Sequence, residues 1–253
     1  MKVGKTAIHY IIGGQGEPLV VTHGGAGGAD AWTENLVELA KNYMVYVPDM
    51  LGFGRSQAME GDYYIMELVD FVDRFAHKLG LSKFHLLGHS LGGSVVLGYV
   101  IKSPHKITKL VLVSSMCLGR EIALWVRFLS SPDWSRSFGA AALAVLKGVK
   151  WVVGQLFSGI EFVLPFFRTS MIVGCSITTL KEQAIVLINQ LSEVLVPTLV
   201  VWGARDTIVP VKHVYAAGQL TPACRVKVFA GCGHYVHRQK IPEFSRLLND
   251  FLE

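Results

Sequence analysis

The sequence predicts an α/β fold in which a mostly parallel central sheet is flanked by helices and interrupted by a helical insertion. Short aliphatic segments alternate with segments whose apolar residues recur at helical spacing, both before residue 118 and after residue 190. Between these two regions, the pattern of residues 118–190 indicates helices and no strands. We therefore predict a core formed by residues 1–117 and 191–253 and a helical cap formed by residues 118–190.

Each predicted element follows from local periodicity. The turn-rich residues 13–18 separate two aliphatic runs, at residues 6–12 and 19–22, and predict a hairpin between them. Further strands are predicted at residues 44–49, 84–87, 107–113, 198–202 and 225–229, with helices at residues 63–79, 91–101, from 212 onward, and at 243–252. Such alternation implies parallel pairing, with both faces of the sheet covered by helices.

Length, composition and charge limit the kinds of partner. The chain has 253 residues, of which 51% are hydrophobic and 17% charged, a balance that fits one compact domain and disfavours disorder. A net charge of +5 is spread without the basic runs of nucleic-acid-binding proteins, so nucleic acid is not an expected partner. Four dispersed cysteines lack a C-x-x-C pair, which disfavours a disulfide framework and a zinc finger. Residues 1–16 lack the features of a secretory signal, so we expect a cytoplasmic protein.

A nucleophilic serine is predicted where one strand turns sharply into a helix. The residues Gly-His-Ser-Leu-Gly at 88–92 follow a predicted strand and begin a predicted helix, which is the setting of a G-x-S-x-G nucleophile elbow. Glycines beside the serine permit so sharp a turn. The new helix directs its N-terminal dipole at the reacting oxygen, where it favours negative charge. Ser90 is therefore the predicted nucleophile.

A serine hydroxyl needs a general base, and the base needs a carboxylate that orients it. Asp206 follows the predicted strand 198–202, and His234 follows the predicted strand 225–229. Both residues thus lie at carboxyl ends of strands, where open α/β sheets place their sites. Taken alone, an Asp in a loop is more often a turn or capping residue, and a lone His is more often structural. Their order and strand context together predict a catalytic triad of Ser90, Asp206 and His234.

Stabilisation of the tetrahedral oxyanion requires two backbone N–H donors. Leu91, directly after the nucleophile, is predicted to supply one, and Gly25 in the glycine-rich loop 24–28 the other, with Gly24 and Ala26 as alternatives. The competing interpretation of this loop is a dinucleotide-binding turn. It is disfavoured because G-x-G-x-x-G is not matched.

Together these motifs resemble those of α/β-hydrolases with a helical cap. The motifs that carry the resemblance are His-Gly-Gly at 23–25, Asp-Met-Leu-Gly-Phe-Gly-Arg-Ser at 49–56, Gly-His-Ser-Leu-Gly-Gly at 88–93, Trp-Gly-Ala-Arg-Asp at 202–206 and Gly-Cys-Gly-His at 231–234. The resemblance implies an α/β-hydrolase fold and cofactor-free acyl transfer through an acyl-enzyme on a small-molecule substrate. It does not imply which substrate.

Departures from related families narrow the activity to three alternatives. Epoxide hydrolases and haloalkane dehalogenases have aspartate at the position of Ser90, and proline iminopeptidases have tryptophan at that of Leu91. The carbon–carbon bond hydrolases of aromatic degradation usually have tryptophan at the position of Tyr235. We therefore expect a carboxylesterase. The alternatives are a carbon–carbon hydrolase of diketone acids, in which Arg168 would hold the carboxylate, and a ligand-sensing receptor on a hydrolase frame.

The predicted cap suggests a lipophilic substrate. In residues 139–164 the polar side chains form one narrow helical stripe, and apolar side chains cover the rest. We expect this apolar face to pack against the core, or to contact a lipid surface, helped by seven basic against four acidic residues in 118–190. The residues expected to contact substrate are Gly24, His89, Trp125, Phe128, Trp134, Phe138, Phe162 and Tyr235.

Overall fold

The computed structural model describes residues 1–25, 27–58, 64–131, 169, 173 and 176–253. Several predictions therefore concern residues outside the described ones: the alternative oxyanion donor Ala26, the amphipathic segment 139–164 and the carboxylate-binding Arg168. Of the expected substrate contacts, Trp134, Phe138 and Phe162 also lie outside them.

A seven-stranded sheet forms the centre of the described structure, with the strand order β3-β5-β4-β6-β7-β8-β9. From β5 through β9 neighbouring strands pair in parallel, and only the edge strand β3 is antiparallel to its neighbour β5. Its strands are β3 (Tyr10–Gly13), β4 (Glu17–Thr22), β5 (Tyr43–Pro48), β6 (Phe84–His89), β7 (Ile107–Val113), β8 (Thr198–Gly203) and β9 (Cys224–Phe229). The predicted mostly parallel sheet is confirmed.

The predicted hairpin between residues 6–12 and 19–22 is wrong in two respects. The first run is broken into β2 (Thr6–Ala7), which pairs with β1 (Lys2–Val3), and the separate strand β3. Strands β3 and β4 are then not neighbours, because β5 lies between them. Gly14, at the turn between them, lies so close to the start of β5 that a Cβ atom there would be 2.1 Å from the Tyr43 carbonyl oxygen. The turn thus packs on β5, a contact that the residues of the turn alone do not predict.

Helices cover both faces of the sheet. They are α1 (Thr33–Leu39), α2 (Ile65–Lys78), α3 (Leu91–Lys102), α4 (Leu124–Ser130), α5 (Lys212–Leu220), α6 (Val236–Gln239) and α7 (Ile241–Leu252). Successive strand residues alternate between the two faces: Leu110 and Leu112 belong to one apolar cluster, whereas Val111 and Val113 belong to the other. Among the described residues, the helices predicted at 63–79, 91–101, from 212 onward and at 243–252 are present as α2, α3, α5 and α7, and the sequence analysis did not identify the short α1 and α6.

Gln183 ties its own segment to residues 117–120, where the predicted cap begins. Gln183 is fully buried. Its Oε1 accepts a hydrogen bond from the Cys117 N–H, its Nε2 donates to the Gly119 carbonyl, and its own N–H donates to the Arg120 carbonyl. Hydrogen bonds therefore hold residue 183 against residues 117–120, and these positions lie near the two ends of the predicted cap.

Candidate active site

Ser90 lies on a strained turn between β6 and α3. Its backbone dihedrals are φ 52° and ψ −116°, which is uncommon for a residue with a Cβ atom and costs on the order of 1–3 kcal/mol. The turn is possible because Gly88 and Gly92 lie in close contact: a Cβ atom on Gly88 would be 2.4 Å from the Gly92 carbonyl oxygen. The Ser90 N–H donates to the Val113 carbonyl at the end of β7. Neighbouring strands thus hold Ser90 at the carboxyl edge of the sheet.

Asp206 and His234, predicted from separate strands, lie in direct contact. The Nδ1 atom of His234 is 2.8 Å from Oδ2 of Asp206, and the two side chains are 5% and 0% exposed. Because a carboxylate only accepts, Nδ1 carries the proton, and Nε2 of the neutral imidazole is left as the basic nitrogen. The other carboxylate oxygen, Oδ1, accepts the N–H groups of Ile208 and Val209. This network fixes the orientation of the carboxylate and, through it, that of the imidazole.

The loops that carry Asp206 and His234 are joined by their backbones. The Arg205 N–H donates to the Cys232 carbonyl at 2.8 Å. Gly203, the last residue of β8, lies so close to the second loop that a Cβ atom there would be 2.1 Å from the Gly233 carbonyl oxygen. Glycine is therefore required at position 203, because any side chain would separate the two loops.

The residue beside Ser90 links the serine turn to the histidine loop. His89 is 3% exposed, and its ring lies 4.8 Å from the His234 ring between centroids. The Nε2 atom of His89 is 3.0 Å from the backbone carbonyl oxygen of His234. The structure therefore brings the turn of Ser90 against the loop of His234, as the predicted triad requires.

The glycine-rich loop that follows β4 is held by the side chain of His23. The Nε2 atom of His23 accepts the Met50 N–H at 3.0 Å, so Nδ1 carries the proton and donates to the Gly24 carbonyl at 2.8 Å. Burial lowers the pKa of His23, which favours this neutral form. Since the peptide bond is trans, the Gly25 N–H points away from the Gly24 carbonyl. His23 thereby sets the direction of the predicted donor at Gly25.

The two predicted oxyanion donors lie on adjacent segments. A Cβ atom on Gly25 would be 3.5 Å from Cδ2 of Leu91, an ordinary contact distance. Leu91 begins α3, so its N–H has no acceptor within the helix. Gly24, the alternative donor, packs on the serine turn, because a Cβ atom there would be 3.2 Å from the Ser90 Cβ and 2.9 Å from Nδ1 of His89.

The motif at residues 49–56 contacts the end of the glycine-rich loop 24–28. Asp49 is buried, and its carboxylate accepts hydrogen bonds from the N–H groups of Ala29 and Arg55 and from Nδ1 of His9. A Cβ atom on Gly28 would be 2.6 Å from the Asp49 carboxylate. The motif therefore acts structurally, by holding the far end of the glycine-rich loop against β5.

Three further residues expected to contact substrate are partly exposed. Trp125 and Phe128 lie on α4, with exposed fractions of 55% and 49%. Tyr235 is 38% exposed, and its ring stands edge-on to that of His234 at 5.3 Å. The roles of these side chains in substrate binding stay predictions.

The sequence analysis did not identify a ring stack behind His234. His237 is 1% exposed, its ring is stacked on Trp32 at 4.3 Å and 17°, and it lies 4.5 Å from the His89 ring. The only signal in the sequence is the spacing of His234 and His237, which places both near the start of the short α6. Burial lowers the pKa of His237 to about 3.

We expect the buried His237 to make the protein less stable in acid. Its pKa is about 3 when folded but about 6.5 when unfolded, so the unfolded chain binds an extra proton as the pH falls through 6.5. Between pH 7 and pH 4.5 this should lower the free energy of unfolding by about 2.5 kcal/mol. The change His237→Phe, which keeps an aromatic ring on Trp32, should remove that part of the pH dependence. Urea unfolding at both pH values measures it.

The control for this prediction is His105→Gln, which removes an exposed histidine from the turn before β7. If His105→Gln flattens the pH dependence of unfolding as much as His237→Phe does, burial of His237 is not the cause of the acid sensitivity.

Two further features of the described residues bear on the site. None of their groups of His, Cys, Asp and Glu side chains could hold a metal ion. Within these same ranges, no helix has both the length and the apolar character needed to cross a membrane.

Comparison with known proteins is consistent with this arrangement. A family model described as the alpha/beta hydrolase fold matches residues 17–164 and 165–240. The 2-hydroxy-6-oxo-2,4-heptadienoate hydrolase of Pseudomonas putida is 27% identical over 98% of this chain and 92% of its own length. An esterase structure from Thermogutta terrifontis has a TM-score of 0.73 and 21% identity over 98% of this chain and 93% of that one. A membrane phospholipase A structure has a TM-score of 0.79 and 21% identity over 100% and 84%. At these identities the structures establish likeness of fold, not of substrate.

Proposed function

The chain belongs to the α/β-hydrolase fold family and is a hydrolase, and on that premise we propose that it cleaves carboxylic esters of lipophilic substrates through an acyl-enzyme on Ser90. The observation that carries the proposal is the 2.8 Å hydrogen bond between buried Asp206 and His234, on loops that lie against the turn of Ser90. Acyl transfer by a serine hydrolase requires a base oriented in this way, on a loop that is bonded to the turn of the nucleophilic serine.

In the proposed reaction, the Ser90 Oγ attacks the ester carbonyl while Nε2 of His234 takes the hydroxyl proton. The carboxylate of Asp206 stabilises the resulting imidazolium. The N–H groups of Gly25 and Leu91 donate to the oxyanion. Collapse of the tetrahedral intermediate breaks the bond to the leaving alcohol, which receives the proton from His234. Water then attacks the acyl-enzyme with the same base, and this second step restores Ser90.

Support for a lipophilic substrate comes from the chain segment that leaves the core beside the site. The insertion 118–190, which we propose as a cap, begins with the helix α4, and this helix exposes Leu124 and Trp125. The Cys117 N–H of the core donates to Oε1 of Gln183 at its base, and the Ala123 N–H donates to the Ile208 carbonyl beside Asp206. The insertion thus starts at the loop of Asp206, so apolar side chains on it can reach a bound acyl group.

A second candidate function is hydrolysis of a carbon–carbon bond in a diketone acid. The relative from Pseudomonas putida favours it, because that protein, 27% identical over 98% of this chain, is named a hydrolase of 2-hydroxy-6-oxo-2,4-heptadienoate, which is the enol form of such an acid. The same serine, histidine and backbone donors would serve both reactions. Tyr235 stands at the position where that class usually has tryptophan, which favours the ester.

Turnover of matched substrates by the purified chain tests the proposal. We expect kcat/KM for p-nitrophenyl esters to rise about tenfold from acetate to butyrate, because each buried CH₂ group contributes about 0.8 kcal/mol. We expect kcat/KM for a vinylogous diketone acid to be at least about tenfold lower than for the butyrate. The reverse order would replace the esterase assignment with carbon–carbon hydrolysis. Tight binding of these compounds with no turnover of either would favour the receptor.

A further inference from the structure

We propose that His89 is a positioning residue of this site, whose imidazole holds the backbone of the His234 loop at a fixed distance from Ser90. The inference rests on the proposed function, since it concerns how the nucleophile and the base are brought into register. It assigns a role to the variable position of the G-x-S-x-G motif in this chain.

The first observation is a hydrogen bond that spans the site. The Nε2 atom of His89 is 3.0 Å from the backbone carbonyl oxygen of His234, 145 residues further along the chain. A carbonyl oxygen only accepts, so Nε2 carries the proton and donates it. His89 is covalently joined to Ser90. One ring therefore connects the residue beside the nucleophile to the residue that supplies the base.

The second observation is that the His89 ring contacts segments on several sides. Its Nδ1 edge lies against the glycine-rich loop, because a Cβ atom on Gly24 would be 2.9 Å from Nδ1. Its face packs near His237, at 4.5 Å between centroids, and His237 in turn stacks on Trp32. The His89 ring thus fixes three segments relative to one another: the turn of Ser90, the glycine-rich loop and the start of α6.

The third observation concerns the charge of the ring. Burial lowers the pKa of His89 well below its usual value, and the nearby rings of His237 and His234 lower it further. His89 therefore stays neutral where the base works. A neutral ring supplies a donor without placing a cation 4.8 Å from the imidazole of His234, which must itself become positively charged during catalysis.

A comparison of two substitutions at position 89 tests the proposal. The change His89→Met keeps an apolar volume but leaves the His234 carbonyl without its donor, whereas His89→Gln retains an N–H group near the position of Nε2. We expect His89→Met to lower kcat for p-nitrophenyl butyrate about 10- to 100-fold with less than about threefold change in KM, since small misplacements of catalytic groups have effects of this size. We expect His89→Gln to recover at least about tenfold of that loss.

The matched control is His85→Gln, which alters a second buried histidine on β6, at the end of the strand far from Ser90, where its Nε2 pairs with Glu17. We expect this control to keep the wild-type kcat. The melting temperatures of all variants show whether they fold.

The kcat values of the folded His89 variants decide whether the positioning role holds. A wild-type kcat in folded His89→Met, or equal losses in the Met and Gln variants, would overturn the positioning role. If His89→Met does not fold, His89→Leu takes its place, and either a wild-type kcat in the folded Leu variant or a loss no greater than that in His89→Gln would overturn the positioning role. Wild-type turnover no greater than that of Ser90→Ala would instead mean that the proposed function fails, and the positioning role fails with it.

Discussion

Replacement of Ser90 by alanine is expected to lower kcat for ester hydrolysis by about ten-thousand- to a million-fold, the range seen when a serine nucleophile is removed from a triad. The loss is this large because alanine has no hydroxyl group to attack the ester, and Ser90 is the residue on the strained turn next to His89, whose ring bonds the His234 loop. The residual rate would come from the backbone donors and from substrate binding alone. Steady-state kinetics with p-nitrophenyl butyrate, and labelling by a fluorophosphonate probe, measure the effect.

The fold should survive this change. Serine and alanine both carry a Cβ atom, so the strain at φ 52° is the same in the two proteins and the free energy of unfolding should differ by less than about 1 kcal/mol. Ser94→Ala is the matched control, because Ser94 is buried one turn further along α3 and undergoes the same chemical change. Wild-type turnover by Ser90→Ala would exclude Ser90 as the nucleophile, and a comparable loss in Ser94→Ala would indicate a packing effect.

The sequence sufficed to predict the parallel strands of the sheet and the pairing of Asp206 with His234, for a physical reason. In a parallel sheet the carboxyl ends of all strands meet at one edge, so a residue that follows one strand is near a residue that follows its neighbour. Strands β8 and β9 are neighbours with a regular register, and their loops bring the aspartate and the histidine together. Local periodicity located the strands, and the parallel pairing of β8 with β9 placed Asp206 next to His234.

Features that depend on contacts between distant segments could not be predicted. The turn after β3 has the composition of a hairpin, but pairing is decided by the fit of β5 between β3 and β4. No sequence motif links His89 to His237, and only the fold packs the His89 ring beside His237 and stacks His237 on Trp32. Burial, which lowers the pKa of both, is likewise a property of the assembled core.

The change Asp206→Asn is expected to lower kcat by about a thousand- to ten-thousand-fold, with a smaller change in KM. Asparagine can keep the acceptor for the N–H groups of Ile208 and Val209, so the loop should hold its shape. Its amide NH₂, however, would then face Nδ1 of His234 at the position of the present 2.8 Å contact. A donor there favours the tautomer with the proton on Nε2, and that nitrogen can no longer accept the proton of Ser90.

Asp30→Asn provides the matched control for this prediction, because the Asp30 side chain is exposed, pairs with Arg55 and lies away from His234. We expect it to keep the wild-type kcat. The same stability in Asp206→Asn as in the wild type, together with the loss of kcat, would assign the effect to the tautomer of His234. Near-wild-type turnover in Asp206→Asn would mean that the buried carboxylate holds only its own loop, and that His234 is oriented by other contacts, of which the hydrogen bond from His89 to its carbonyl is the first to test.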